Sequence, residues 1–381
     1  MFYTVFSTNL GPNMQWQSDL LEYSWKQVGQ EGMLIRLVAT DNPTKLLQQK
    51  YAQCVATKPW DVHPETGDSY PIYNKPASLL EWLVRDQPEG TVLLLDPDCI
   101  FRQPVIRRVA PGFPASQKWI NLNVRKPDSK HPFGLPPGFT FLSEHCARVD
   151  LTTEPVMIPT LIHTDDLRRI CARWLELCGV VRQHCRNAQG LPIWESDMFA
   201  YIATCAEYGL RHDPISLGIC TNWHPDEAPD APIVHYCQPI LAKNGRQLFG
   251  KFNYKPWTRI DTSLEPEFDY GGDLIATINE YIDCDGKAAG KLSPEQHPKR
   301  GASVMEGRVK DDILLEVPAD GRSVWLNVSG KATWDLCDGY RTIRDITSEL
   351  DRKFAVSGRD ISSDVMTIVE QLHRHGFLEV T

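Results

Sequence analysis

The chain has 381 residues, 42% hydrophobic and 23% charged, with a net charge of -9 and a pI of about 5.7. That is enough chain for one large and one small domain, or two medium ones. The acidic balance excludes a nucleic-acid binder acting by bulk electrostatics, because phosphate contacts need a basic surface.

Met1 to Thr8 carries no basic segment and does not read as a signal peptide. No stretch approaches the roughly 20 apolar residues of a membrane span. The 11 cysteines include no C-x-x-C pair, so reduced thiols in a cytoplasmic protein are expected. Cys171, Cys178 and Cys185 recur every seven residues and are expected in a core.

In chain order, Phe2 to Thr8 predicts a buried strand, Asn13 to Val28 a helix and Met33 to Ala39 another strand. A helix over Pro76 to Val84 starts near its proline. Thr91 to Leu95 is continuously apolar, which predicts a strand covered on both faces. Arg107 to Pro159 is rich in Pro and Gly and reads as irregular, with a short strand near its end. Helices follow over Asp165 to Arg186 and Asp197 to Tyr208, then a strand over Ile233 to Tyr236. Alternating strands and helices predict an α/β sandwich with a mostly parallel sheet.

Residues 285–304 lose apolar density and read as a linker between domains at 1–284 and 305–381. Beyond it, Ile313 to Val317 and Ser323 to Asn327 predict a hairpin. Helices are expected over Ser329 to Cys337, Ile343 to Phe354 and Ser362 to His375, then a strand over Phe377 to Val380. The layout is small, α+β and winged-helix-like.

Asp96 and Asp98 follow the apolar strand directly. Parallel sheets present ligand sites at the carboxyl ends of their strands. Two carboxylates there repel unless a cation joins them. A hard divalent ion, Mn²⁺ or Mg²⁺, does so and also grips a diphosphate. A D-P-D tripeptide equally favours a turn.

His235 closes a short strand and is either structural or a third metal ligand through a neutral imidazole. Lys251 and Lys255 either pair with a phosphate or lie in a solvated loop. Asn74 and Lys75 open the helix that begins near Pro76, a place that suits anionic groups. Glu195 and Asp197 stand at a helix start, where capping and the helix dipole explain them. One of them, Asp197 before Glu195, could instead take the proton of an attacking hydroxyl.

Phe6-Ser7-Thr8, Trp16-Gln17, Tyr23-Ser24-Trp25-Lys26, Tyr73-Asn74-Lys75-Pro76, Leu94-Leu95-Asp96-Pro97-Asp98, Trp194-Glu195-Ser196-Asp197-Met198 and His235-Tyr236 occur in that order. The series resembles the hydroxyproline O-arabinosyltransferases and peptidyl-serine galactosyltransferases of plants and algae. The resemblance spans roughly residues 1 to 260. It implies a GT-A fold, a Rossmann-like nucleotide-diphospho-sugar transferase domain, acting on peptide hydroxyls with a UDP-sugar. By that resemblance Asp96, Asp98 and His235 hold the ion, and Ser7 and Thr8 lie near the nucleotide base. The plant proteins often carry Glu at the position of Asp96, and they are secretory.

Val324-Trp325-Leu326-Asn327, Trp334-Asp335-Leu336-Cys337-Asp338-Gly339, Ile346, Leu350, Val369, Leu372 and Gly376-Phe377-Leu378 resemble a PqqD-like domain. Such domains recognise the leader of a ribosomally made precursor peptide (RiPP) by adding it as a strand. The leader is expected between the strand near Arg322 to Asn327 and the last helix. Together these readings imply a RiPP tailoring glycosyltransferase whose partner is a precursor peptide, with neither nucleic acid nor membrane. Two alternatives stand: another nucleotide-diphosphate-dependent transferase, and a non-catalytic peptide-binding scaffold.

Overall fold

The computed structural model describes residues 1–43, 51–118, 156–189, 194–221, 230–284, 292–309, 312–317, 322–354, 361–374 and 376–381. The chain divides into two compact units. The first comprises residues 1–41, 51–256 and 260–276, and the second 42–50, 257–259 and 277–381.

In the first unit β1 (Phe2–Asn9), α1 (Pro12–Gln27), β2 (Met33–Ala39) and β3 (Ala52–Thr57) follow one another. Next come α2 (Asn74–Asp86), β4 (Thr91–Leu95), β5 (Cys99–Phe101), β6 (Ala115–Lys118) and β7 (Val156–His163). Then follow α3 (Thr164–Gln189), α4 (Ser196–Glu207), β8 (Asp213–Ile215), β9 (Gly218–Cys220) and β10 (Ile233–His235). A hairpin of β11 (Ile240–Leu241) and β12 (Gln247–Phe249) precedes α5 (Asp269–Cys284), within which the chain passes to the second unit.

The central sheet has seven strands in the order β3-β2-β1-β4-β7-β6-β8. β3, β2, β1 and β4 run parallel, whereas β7 lies antiparallel to β4 and β6. The architecture is therefore the α/β layering expected, with a mixed sheet. Every residue of β4 is buried, as its unbroken apolar run requires. The three sevenfold-spaced cysteines are buried on α3, as expected.

The irregular reading of residues 107–159 holds only in part. β6 and the eight-residue β7 take up both of its described ends, and residues 119–155 lie outside the described residues. The expected short strand is the start of β7, which reaches His163 because Thr91 to Leu94 offer it a full antiparallel ladder.

A smaller sheet, β5-β10-β9, sits beyond the end of β4. β5 pairs antiparallel with β10 and brings His235 opposite Cys99. Tyr236 then donates its amide to the Asp98 carbonyl at 2.9 Å.

The second unit contains β13 (Pro298–Arg300), β14 (Met305–Val309), β15 (Asp312–Val317), β16 (Arg322–Leu326), α6 (Val328–Leu336), α7 (Ile343–Phe354), α8 (Ser362–Arg374) and β17 (Leu378–Val380). The predicted hairpin is present, and β14 adds a third strand in the order β14-β15-β16. Leu315, Trp334, Ile346, Val369 and Phe377 form the buried core. Asn327 caps α6 by accepting from the Gly330 amide at 2.9 Å. Residues 298–300, inside the segment read as linker, pair antiparallel with β17, and Leu292 is buried in the same core.

Candidate active site

β4 ends and the chain turns out of the sheet at Asp96, so the carboxylates stand at the carboxyl edge of the parallel strands. Asp98 is buried and Asp96 half-buried. The β5–β10 ladder carries His235 to them across the sequence. Its Nε2 lies 3.3 Å from Asp98 Oδ1 and 3.8 Å from Asp96 Oδ2. One ligand atom from each of the three residues falls within 4.8 Å of the others.

Two of the predicted cations, Lys75 and Lys251, converge on the same carboxylates. Lys75, at the first turn of α2, places Nζ 2.9 Å from Asp96 Oδ1 and 2.8 Å from Asp197 Oδ2. It is buried. Burial opposes its charge, but Asp197 and Asp96 more than offset this and hold the ammonium above its usual range. Lys251 Nζ reaches Asp98 Oδ2 at 2.5 Å and is raised for the same reason. The segment bearing it is seated by Phe249 and Tyr254, which pack against Trp16 and each other.

Burial pushes the Asp98 carboxyl up, yet His235 and Lys251 outweigh it and hold the group well below the usual carboxylate range. Reciprocally, burial lowers His235, while Asp98 draws it up to about 9. The pocket thus favours positive charge, and His235, Lys75 and Lys251 are the groups that face its carboxylates. Two hard carboxylates and one imidazole suit Mn²⁺ or Mg²⁺.

Asp197 is buried at the start of α4 with both oxygens engaged. Oδ2 takes Lys75 and Oδ1 accepts from the Tyr70 hydroxyl at 3.0 Å. Glu195 differs, because its Oε2 is buried without a hydrogen-bond partner among the described residues. Burial raises its pKa.

Asn74 braces the entry to α2. It accepts from the Trp60 amide at 2.6 Å and donates to Asp61 at 2.9 Å. Thr8 accepts from Arg36 Nε at 2.9 Å and is buried, whereas Ser7 beside it is half-buried. Both stand at the same sheet edge as Asp96, since Phe6 pairs with Leu95. Lys255 is exposed.

Tyr70 is a member that the sequence reading missed. So is the clamp on Asp68, which accepts from Tyr73 at 3.0 Å and pairs with Arg182 and Arg186. No motif announces them, because Asp68 and Arg182 meet only when α3 packs on α2.

The sequence profile of the hydroxyproline O-arabinosyltransferase family N-terminal domain matches residues 2–214. That of coenzyme PQQ synthesis protein D (PqqD) matches residues 311–378. A peptidyl serine alpha-galactosyltransferase of Arabidopsis thaliana is 30% identical over 268 residues, 64% of this chain and 30% of its own length. One from Chlamydomonas reinhardtii is 26% identical over 61% of this chain and 34% of its own length. Hydroxyproline O-arabinosyltransferase 3 of Arabidopsis thaliana is 21% identical over 55% of this chain and 57% of its own length. The chain thus spans about a third of the length of the two galactosyltransferases it matches.

Among solved structures, an active-site mutant of LgtC aligns with a TM-score of 0.44 and 14% identity, over 73% of this chain and 95% of that one. TbiB1 in complex with the TbiA(beta) leader peptide aligns with a TM-score of 0.20 and 18% identity, over 21% of this chain and 94% of that one. The profile match extends over more than half of the residues, and the chain belongs to the hydroxyproline O-arabinosyltransferase family, with a PqqD-family segment at its C-terminal end.

Proposed function

We propose that the first unit is a metal-dependent GT-A glycosyltransferase. It would move a sugar from a UDP-sugar to a hydroxyl, or thiol, side chain of a ribosomally made precursor peptide whose leader binds the PqqD-family segment. The observation that carries this reading is the meeting of Asp96, Asp98 and His235 at the carboxyl edge of β4. The names of the relatives, peptidyl serine galactosyltransferase and hydroxyproline O-arabinosyltransferase, support a peptide hydroxyl as acceptor.

A divalent ion held by Asp96, Asp98 and His235 would supply Lewis-acid stabilisation of the departing diphosphate. Lys75, fixed between Asp96 and Asp197, orients the first carboxylate. Lys251 is partly open to solvent and can exchange Asp98 for a diphosphate oxygen. Ser7 and Thr8 border the nucleotide at the same edge, Asn74 holds the α2 entry in place, and Lys255 is a second anion contact from solvent. Glu195, with a free oxygen and a raised pKa, is better disposed than Asp197 to take a proton from the acceptor.

β16, at one edge of its three-stranded sheet, supports the leader as an added strand. Tethering the leader raises the effective concentration of the core peptide at the transfer site.

A screen of UDP-sugars with Mn²⁺, read as donor hydrolysis and as added hexose or pentose mass on a peptide, tests the reading. Asp98→Ala is expected to lower hydrolysis about a hundred- to a thousandfold, the scale of losing transition-state charge stabilisation. Transfer of a nucleotide or phosphosugar, or hydrolysis untouched by Asp98→Ala, would refute it.

A further inference from the structure

His235 has two faces, and only one of them meets the carboxylates. Nε2 points at Asp98 and Asp96. Nδ1 lies 3.9 Å from Cys220 Sγ. Cys220, Cys237 and His235 each offer a ligand atom, all within 4.8 Å of one another.

The backbone fixes this second cluster. Cys220 pairs with His235 across the β9–β10 ladder. The next residue, Thr221, donates its hydroxyl to the Gln238 carbonyl at 2.6 Å and accepts from the Gln238 amide at 3.0 Å. Residues 220–221 are thereby clipped to 237–238, which keeps Cys237 beside Cys220, whose sulfur faces Nδ1 of the ring. Two thiolates and an imidazole are soft donors that select zinc-like ions. The separation of Sγ from Nδ1 is close to the roughly 3.5 Å that tetrahedral S and N ligands of zinc subtend.

We propose that Cys220, Cys237 and His235 form a second, thiophilic site for Zn²⁺ or a similar soft dication, and that it excludes the hard ion from Asp96 and Asp98. The exclusion follows from the tautomer. A neutral imidazole has one lone pair, and its other nitrogen carries hydrogen. An ion on Nδ1 leaves Nε2 as an N–H donor facing Asp98, so His235 is lost to the carboxylate cluster. An ion on Nε2 turns Nδ1–H towards the sulfurs. Binding of the soft ion releases to solvent the Nδ1 proton of His235 and the protons still held by the two thiols, and leaves a fourth coordination position open. The exclusion rests on the metal reading proposed above; the thiol site does not.

Co²⁺ is the probe, added to the full chain, with Zn²⁺ as competitor and Mn²⁺ as the hard ion followed by paramagnetic resonance. The native chain is expected to show thiolate-to-cobalt absorption that an equimolar amount of Zn²⁺ removes. Cys237→Ser and the double substitution Cys220→Ser/Cys237→Ser lose that absorption, while Asp96→Asn retains it. Zn²⁺ is expected to weaken Mn²⁺ binding about tenfold or more in the native chain, as loss of a ligand does. In the double variant only direct competition at the carboxylates remains, so Mn²⁺ should be lost at a Zn²⁺ concentration about tenfold or more above that needed in the native chain.

A cobalt spectrum of the native chain no stronger at the thiolate band than that of the double variant would overturn the site. Zinc bound without any effect on Mn²⁺ would overturn the exclusion. Absence of Mn²⁺ binding before zinc is added would defeat the donor-metal reading and the exclusion together, with the cobalt band still judging the thiols.

Discussion

Lys75 is the residue on which the site's electrostatics turn. It is a buried ammonium shared between two carboxylates, and such a triad is stable only while complete, because each carboxylate is costly to bury alone. Lys75→Met keeps the volume and removes the charge. It is expected to destabilise the first unit by about 3–5 kcal/mol, read as a lower urea midpoint. An unchanged midpoint would show that water already satisfies Asp96 and Asp197. Asp96, Asp98 and Lys75 could be singled out before any coordinates, because an apolar strand followed by paired acids, and a lysine at a proline-marked helix start, are local patterns. Tyr70 has no such signature. It joins Asp197 only after α2, α3 and α4 have packed together.

At the scale of elements, β6 is held through side chains as well as its ladder. Ser116 Oγ accepts from Thr160 on β7 at 3.0 Å and lies 2.9 Å from His212 Nδ1 at the entry to β8. The His212 Nε2 is buried with no partner among the described residues, and burial lowers the ring's pKa to about 3. In the unfolded chain the pKa is about 6.5. The folded state therefore binds the proton less readily, so its contribution is fully present above the unfolded value and declines as pH falls below it. Between pH 7 and 5 the loss is about 2 kcal/mol by linkage. Thermal melts across that range are expected to show His212→Gln with a flatter acid limb than the native chain. Parallel limbs would mean that the ring takes up its proton in the folded state.

α7 shows why an element's support is not always its neighbour in sequence. Thr342 and Asp345 form a capping box, each side chain accepting from the other's amide at 3.0 Å. Two further amides of that first turn are satisfied from far upstream. Ile343 donates to the Gln296 carbonyl at 3.0 Å and Arg344 to that of Pro294 at 2.9 Å.

For the whole molecule, this makes residues 292–304 part of the second unit's fold, although the segment's composition is that of a linker. It supplies β13, buried Leu292 and the α7 contacts. A fragment of residues 292–381 is expected to melt cooperatively. One beginning at 305 should melt about 10 °C lower, the scale set by losing one buried leucine and a short ladder in a domain of this size. Equal melting temperatures would make the segment dispensable. The match to PqqD begins at residue 311, so neither the profile nor the composition marks this contribution.

By itself the sequence determined the longer elements, β1, α1, β2, α2, β4, α3 and α4 in the first half and the β15–β16 hairpin with its three helices in the second, together with the burial of β4 and the acids at its end, whereas short strands such as β3, β6, β8 and β14 left no mark in it. Those features follow from apolar periodicity, capping and the direction of parallel strands, all of which are local. Tertiary structure alone decided that β7 runs antiparallel beside β4, that Lys75 joins Asp96 to Asp197, and that His235 stands between carboxylates on one nitrogen and the Cys220 thiol on the other. Those outcomes depend on bringing together segments that no local pattern links, 122 residues apart in the case of Lys75 and Asp197. The register of such a pairing is chosen by the packing of the whole sheet, and no local window of sequence contains it.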